Sequence, residues 1–86
     1  MDDMPETEAQ LLKRITYNPD IFGGKPIIRG QRLAVEHVLA MLEAGDRPED
    51  ILAGYDWLEV EDIRACIAYA RRAVGNERID PTRLVG

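Results

Sequence analysis

Gly23-Gly24-Lys25-Pro26-Ile27-Ile28-Arg29-Gly30-Gln31-Arg32 is the stretch that decides the fold of this 86-residue chain. It holds three of the seven glycines and three of the eleven basic residues. The paired glycines permit positive φ angles, and Pro26 keeps the residue before it out of a helix. The two isoleucines that follow favour a short strand. The stretch therefore predicts an irregular loop that leads into a strand.

A second short strand is predicted just before this stretch. Ile15-Thr16-Tyr17 is β-branched and aromatic, and Asn18-Pro19-Asp20 is a turn signal. We therefore interpret residues 15–33 as two extended segments joined by a loop. A short helix over about residues 5–14, capped by Asp3, is predicted to precede them. Two short strands are marginal alone, so they need the helices or a second chain.

Three helices are predicted on the C-terminal side of the stretch. The first carries apolar residues at i, i+3, i+4 and i+7 from Val35 and ends at Gly45. The second opens with Pro48 at its first position and is limited to about seven residues by Gly54. The third begins at about residue 60, and its predicted apolar face is formed by Val60, Ile63, Ile67, Ala70 and Val74.

The composition predicts one small domain. It is 45% hydrophobic and 31% charged, which is typical of a globular chain. We divide the chain into a flexible or short helical N-terminus (1–10), a single helix-turn-helix-like domain (11–75) and a C-terminal tail (76–86). The one cysteine, Cys66, excludes an internal disulfide and is expected to be a small buried side chain. No apolar run suits a membrane span, so we expect a cytoplasmic protein.

Charge is distributed unevenly along the chain. The formal net charge of −5 argues against an autonomous non-specific nucleic-acid binder. Residues 13–35 nevertheless carry a net charge of +4 and residues 64–86 carry +3, on either side of an acidic segment, 36–63, at −8. The two basic blocks could form one basic face if the fold brings them together.

The last two predicted helices have the outline of a helix-turn-helix, since a short helix, a brief turn and a longer helix follow one another. The same outline serves many small bundles that bind no DNA. Three acids, Glu59, Glu61 and Asp62, open the longer helix, which is the one that would enter a DNA groove. Phosphates repel carboxylates, so these acids argue against straightforward base recognition.

Several segments together resemble one family, which is named domain of unknown function four-three-three (DUF433). The segments are Leu11-Leu12-Lys13-Arg14-Ile15, the string from Gly23 to Arg32, Ala44-Gly45, Glu49-Asp50-Ile51-Leu52, Tyr55, Glu61-Asp62-Ile63-Arg64 and Ala68-Tyr69-Ala70. The resemblance implies a mainly α fold, with a three-helix helix-turn-helix core of homeodomain-like or winged-helix-like type. A short N-terminal helix and a short β segment would precede that core. The chain departs from the family pattern at Glu59, where Ser or Thr usually caps the last helix.

The same resemblance implies a function. It is that of the antitoxin in a VapB-like toxin–antitoxin pair, which binds a PIN-like ribonuclease toxin and can also bind operator DNA as a homodimer. The alternative is a protein–protein interaction module with a degenerate helix-turn-helix and no DNA binding. A basic partner would then use the acidic surface of residues 43–62. Edge-strand pairing near residues 15–18 is our candidate for the dimer contact.

Six basic side chains are the candidate nucleic-acid or partner-binding residues: Lys25, Arg29, Arg32, Arg64, Arg71 and Arg72. Arginine suits phosphates and carboxylates through its bidentate fork. The alternative is that the loop residues pair with acids of residues 36–63 and only brace the loop. We expect no enzyme activity, metal or cofactor, because no nucleophile–base pair or phosphate-binding loop can be assembled. His37 is expected on the surface or at the edge of the core.

Overall fold

Four helices and one pair of short strands make up the described part of the chain, residues 5–76 of a computed structural model. In chain order the elements are α1 (Glu8–Leu12), β1 (Ile15–Thr16), β2 (Ile27–Ile28), α2 (Val35–Glu43), α3 (Pro48–Gly54) and α4 (Val60–Asn76). The predicted mainly helical class, with a short N-terminal helix and a β segment, is confirmed. No helix in this range is both long and apolar enough to cross a membrane. The predicted tail lies outside the described residues except for Asn76.

The two predicted extended segments are present as short strands, and the structure pairs them antiparallel. Ile15 lies opposite Ile28 and Thr16 opposite Ile27. The connection begins with the predicted turn, in which the backbone N–H of Asp20 donates to Asn18 Oδ1 at 2.9 Å. It then passes through a 3-10 turn over Phe22–Gly24, in which Gly23 and Gly24 both have positive φ. The glycine pair is therefore needed for the backbone of the loop.

Each helix begins with the same local hydrogen bond. The side chain at the third helical position accepts from the backbone N–H of the residue just before the helix, which satisfies a donor that the helix itself cannot pair. The pairs are Gln10 with Thr7 (2.8 Å), His37 with Ala34 (3.1 Å), Asp50 with Arg47 (3.0 Å) and Asp62 with Glu59 (2.9 Å). In α4 the bond satisfies the N–H of Glu59, the position at which the resemblance implies a Ser or Thr cap.

The predicted start of α1 is wrong. The helix begins at Glu8 and not near residue 5, and its cap is Thr7. The Thr7 hydroxyl accepts from the Gln10 N–H at 3.2 Å, so the two residues satisfy each other's backbone donors. That reciprocal pair fixes the first turn without Asp3, which lies outside the described residues.

The core lies between β2 and the helices. Ile28, Val38, Ile63 and Cys66 are buried in the main cluster, which confirms the expectation for Cys66. A smaller cluster of Ile21, Ile27 and Ala34 lies under the loop. Neighbouring strand residues point to opposite faces, so Ile27 and Ile28 serve different clusters. The two isoleucines of the opening stretch thus join the loop to the helices.

The apolar face predicted for α4 is largely wrong. Of its four members that are clearly buried or clearly exposed, three are exposed. Ile63 is buried, but Val60, Ile67 and Val74 are exposed. The inward face is instead formed by Asp62, Ile63, Ala65 and Cys66. An ion-paired carboxylate and two small side chains therefore face the core.

Candidate partner-binding site

A buried carboxylate fixes the beginning of α4. Asp62 has no exposed surface, and its two oxygens accept four hydrogen bonds. Arg29 donates from Nε and Nη2 at 2.9 and 2.7 Å, Arg14 donates at 3.0 Å, and the fourth bond comes from the Glu59 backbone. Burial opposes ionisation of Asp62, yet the bonds from Arg29, Glu59 and Arg14 outweigh it and hold the pKa of Asp62 below its usual range.

Arg14 connects α1 to α4 through three carboxylates. It binds Glu6 through two nitrogens, at 3.1 and 2.6 Å, and reaches Glu59 at 2.7 Å. Its third carboxylate is Asp62. The hydrogen bond with Glu6, followed by those with Glu59 and Asp62, raises the pKa of Arg14 despite partial burial. The segment before α1 is therefore tied to the first turn of α4.

Arg29 ties the glycine-rich loop to the same place. Besides Asp62 it donates to the backbone carbonyl of Trp57 at 2.9 Å, and its guanidinium lies 5.6 Å from the centre of the Trp57 ring. Its backbone has a φ of +44°, which is uncommon for a residue other than glycine. We name Arg14, Arg29, Glu6, Glu59 and Asp62 the charged network. It joins the loop, the segment around α1 and the α3–α4 connection at one point.

The charged network predicts acid sensitivity. A carboxyl whose folded-state pKa is depressed contributes stability above its unfolded-state pKa, about 3.9 for Asp, and loses it as the pH falls through the lower folded-state value. We therefore expect the thermal midpoint to fall steeply below about pH 4. Thermal unfolding followed by circular dichroism from pH 7 to pH 2 measures this. Asp62→Asn should have a lower midpoint at pH 7 and a flatter profile; an unchanged acid limb in that variant contradicts the assignment to Asp62.

The structure pairs most of the six basic candidates with the chain's own acids. Lys25 bonds Glu36 of α2 at 3.1 Å, and Arg71 and Arg72 share Glu8 of α1 at 3.2 and 3.5 Å. Arg29 belongs to the charged network, as the bracing interpretation expects. Arg32 and Arg64 are exposed and form no ion pair within residues 5–76. The basic residues of the loop therefore pair with acids of α2 and α4, whereas those of α4 pair with an acid of α1.

The acidic surface proposed for residues 43–62 is smaller than the sequence suggests. Asp62 faces inward and is neutralised by two arginines. Asp50 accepts from the backbone and side chain of Arg47, and these bonds lower its pKa. The surface at the start of α4 is thus less negative than its sequence suggests, because the third acid, Asp62, is buried and paired with two arginines.

The outward face of α4 carries apolar side chains that the described residues leave uncovered. Val60, Ile67 and Val74 are 46%, 50% and 61% exposed. They are seven residues apart, so they lie almost above one another along the helix. Arg64 and Arg71, also seven apart, lie between them. We name these five residues the outer stripe.

Two shallow grooves flank the centre of the outer stripe. One, of about 360 Å³, lies between α1 and α4 and is lined by Glu6, Glu8, Leu11, Arg64, Ile67, Ala68 and Arg71. The other, of about 560 Å³, is almost wholly apolar and is lined by Ile67, Ala70, Arg71, Val74 and Gly75. Ile67 and Arg71 line both grooves. They therefore occupy the centre of the candidate binding surface.

Comparison with known proteins places the chain in a family. The model of the family described as protein of unknown function (DUF433) matches residues 15–70. This chain belongs to the DUF433 family. The match includes both strands, α2, α3 and about the first two thirds of α4, with Arg29 and Asp62. Arg14 and the whole of α1 precede it.

The chain is also similar to two other proteins, one of which is described as a DUF433 member. The crystal structure of a DUF433 member from Anabaena variabilis ATCC 29413 is 28% identical, with a TM-score of 0.66 over 81% of this chain and 77% of that one. An uncharacterized protein, y4eO, of Sinorhizobium fredii is 41% identical over 56 residues, or 65% of this chain. The chain spans about a quarter of the length of that curated relative, since the match covers 25% of it.

A third hollow in this DUF433 chain lies beside β1. It measures about 440 Å³ and is lined by Leu12, Ile15, Tyr17, Tyr69, Arg72 and Ala73. The Tyr17 hydroxyl donates to that of Tyr69 at 3.0 Å, and this bond raises the pKa of Tyr17 to about 12. The Tyr17 phenol therefore stays neutral at physiological pH.

Cys66 and His37, the two other side chains considered for chemistry, lie in environments that fit a structural role. Burial raises the pKa of the Cys66 thiol to about 12, so it is not a nucleophile at neutral pH. His37 is half-buried, accepts from Ala34 and packs edge-on against Phe22 at 4.9 Å, as expected for the edge of the core. Residues 5–76 contain no group of three or more His, Cys, Asp or Glu side chains arranged to hold a metal.

Proposed function

We propose that this chain is a protein–protein interaction module that binds a partner through the outer stripe of α4. The observation that supports this proposal most strongly is the half-exposed Ile67, which lies between Val60 and Val74 on one face of a regular helix. Exposed apolar patches of this kind mark interaction sites in small proteins. The antitoxin role implied by the family resemblance is the specific form we propose, with a cytoplasmic toxin as partner. The proposal includes no catalytic step.

Charge supports a protein partner over DNA. Affinity for DNA comes largely from Lys and Arg side chains that neutralise phosphates. Here Arg29 is held by Asp62, and Arg71 and Arg72 share Glu8. Exposed valine and isoleucine offer nothing to a phosphate, whereas they can be buried against another protein.

Co-expression tests the antitoxin role. The full chain would be produced with the protein encoded beside it, and growth and co-purification would be measured. We expect the neighbour to be toxic alone, and the two proteins to co-purify and restore growth together. A toxic neighbour that neither co-purifies with the chain nor loses its toxicity contradicts the proposal.

DNA binding by a helix-turn-helix is the second candidate function. It is favoured by the succession of α3, the five-residue connection 55–59 and α4. Arg32 and Arg64, which form no ion pair with the acids of residues 5–76, also favour it. It predicts a salt-sensitive mobility shift with DNA upstream of the gene, weakened in Arg29→Ala or Arg32→Ala. The absence of a shift at low salt, for the chain alone or with its partner, removes this candidate and leaves the interaction module.

A dimer formed through β1 is part of the proposal. The Arg14 carbonyl accepts from the Arg29 N–H at 2.8 Å, so the backbone groups of Ile15 point to the other edge of the strand. The described sheet has no third strand at that edge. We expect light scattering at tens of micromolar to give twice the mass of one chain. The mass of a single chain at that concentration contradicts the dimer.

A further inference from the structure

The outer stripe alternates apolar and basic side chains. Val60, Arg64, Ile67, Arg71 and Val74 follow one another along the exposed face of α4. Residues seven apart in a helix are separated by roughly 10 Å along its axis, so the two guanidinium groups bracket Ile67. The stripe therefore presents an apolar centre with positive charge on both sides.

The positive charge around the stripe exceeds the negative charge that the described residues supply. Arg71 and Arg72 share the single carboxylate of Glu8, and the carboxylate of Glu6 is taken by Arg14 at 2.6 Å. Arg64 has no carboxylate within ion-pair distance among residues 5–76. Among residues 5–76, the arginines beside the exposed apolar residues therefore outnumber the carboxylates that form ion pairs with them.

We propose that the partner's docking element is an amphipathic helix with an acidic side chain on each side of a central apolar residue. This inference rests on the proposed function and names the chemistry of the partner. The apolar residue would pack beside Ile67 in the grooves next to α1 and Ala70. Carboxylates seven positions apart would pair with Arg64 and Arg71, at the spacing that a helix lying along α4 provides.

A second copy of α4 is a poorer occupant. Two α4 helices packed antiparallel about Ile67 would place Arg64 of one copy next to Arg71 of the other. Packed in parallel and in register, they would place each arginine opposite itself. Like charges facing each other disfavour both arrangements, whereas carboxylates favour the acidic helix.

Selection from a display library of helical peptides tests the charge requirement. The immobilised bait is the full wild-type chain, and the counter-bait is Arg64→Glu/Arg71→Glu. We expect peptides selected on the wild type to be enriched in Asp and Glu at positions seven apart around an apolar residue. The counter-bait should select Lys and Arg there instead. Arg47→Glu, which reverses an exposed arginine at the start of α3, is the matched control and should select acidic peptides as the wild type does.

The outcomes separate this inference from the proposed function. Affinities of the selected peptides would be measured by fluorescence anisotropy, with at least a tenfold preference expected for acidic over basic versions. If the selected peptides are apolar without acidic enrichment, and Ile67→Ser does not select them, the acidic helix is overturned. The outer stripe then remains a protein-binding surface. If no peptide is selected, and the wild type binds duplex DNA while the counter-bait does not, the acidic helix and the proposed protein-binding function are both overturned. If circular dichroism shows that the double variant does not fold, Arg64→Glu alone is used as the counter-bait.

Discussion

Replacing Asp62 with Asn is expected to lower the free energy of unfolding by about 3–5 kcal/mol, the usual cost of removing one partner from a buried ion pair. A domain of this size has a total stability on the order of 5–10 kcal/mol. The substitution should therefore remove a large part of it and lower the thermal midpoint by at least about 12 °C.

The expected size of this effect follows from the number of partners that Asp62 holds. Asn keeps the shape of the side chain but removes the charge that faces both Arg14 and Arg29. The guanidinium of Arg29 then loses its only carboxylate within ion-pair distance among the described residues. Its backbone, at a φ of +44°, also loses the charged one of the side-chain contacts that hold it there, while those with Trp57 remain.

Asp50→Asn is the matched control. Asp50 occupies the same third position of α3, and it also accepts from the backbone N–H before its helix, but its side chain is 47% exposed. We expect a much smaller loss of stability, because solvent screens its interaction with Arg47. Urea unfolding at pH 7 measures both variants. Equal losses would mean that the helix-start hydrogen bond, and not the buried charged network, carries the stability.

Replacing Ile67 with Ser is expected to weaken partner binding by about 30-fold or more, as for a central apolar contact of an interface. Ile67 is half-exposed in the free chain and lies outside the buried core. Its substitution should therefore change the thermal midpoint little. Titration calorimetry with the partner identified by co-expression measures the affinity.

Ile67→Leu is the control for this variant, because it keeps the apolar area and should retain most of the affinity. Ala53→Ser, an exposed change on α3, should bind as the wild type does. Equal affinity of Ile67→Ser and the wild type would exclude the outer stripe as the binding surface. A collapse of the thermal midpoint in Ile67→Ser would mean that Ile67 is structural.

The local part of the fold could be predicted from the sequence. The signals lie within a few residues for the two short strands, the turn at Asn18, Pro48 at the first position of α3, and the helix ends at Gly45 and Gly54. The start of α1 was missed because Asp3 and Thr7 are both acceptable caps, and only the reciprocal bond with Gln10 decides between them.

The charged network and the outer stripe could not be predicted. Arg14 and Asp62 are 48 residues apart, and Arg29 and Asp62 are 33 apart, so no local spacing connects them. Two apolar faces can be drawn on α4, one with Ile63 and Cys66 and one with Val60, Ile67 and Val74. Helical periodicity cannot say which faces inward. Asp62 at 0% exposure decides it, because its two arginines require that side of α4 to face them.

Covalent footprinting of exposed side chains, with and without the bound partner, tests the central claim most directly. The account predicts that labelling of Val60, Ile67 and Val74 falls when the complex forms, while labelling of Phe22 in the glycine-rich loop is unchanged. Protection of the loop around Phe22 and Arg32, with the outer stripe still fully labelled in the complex, would contradict it.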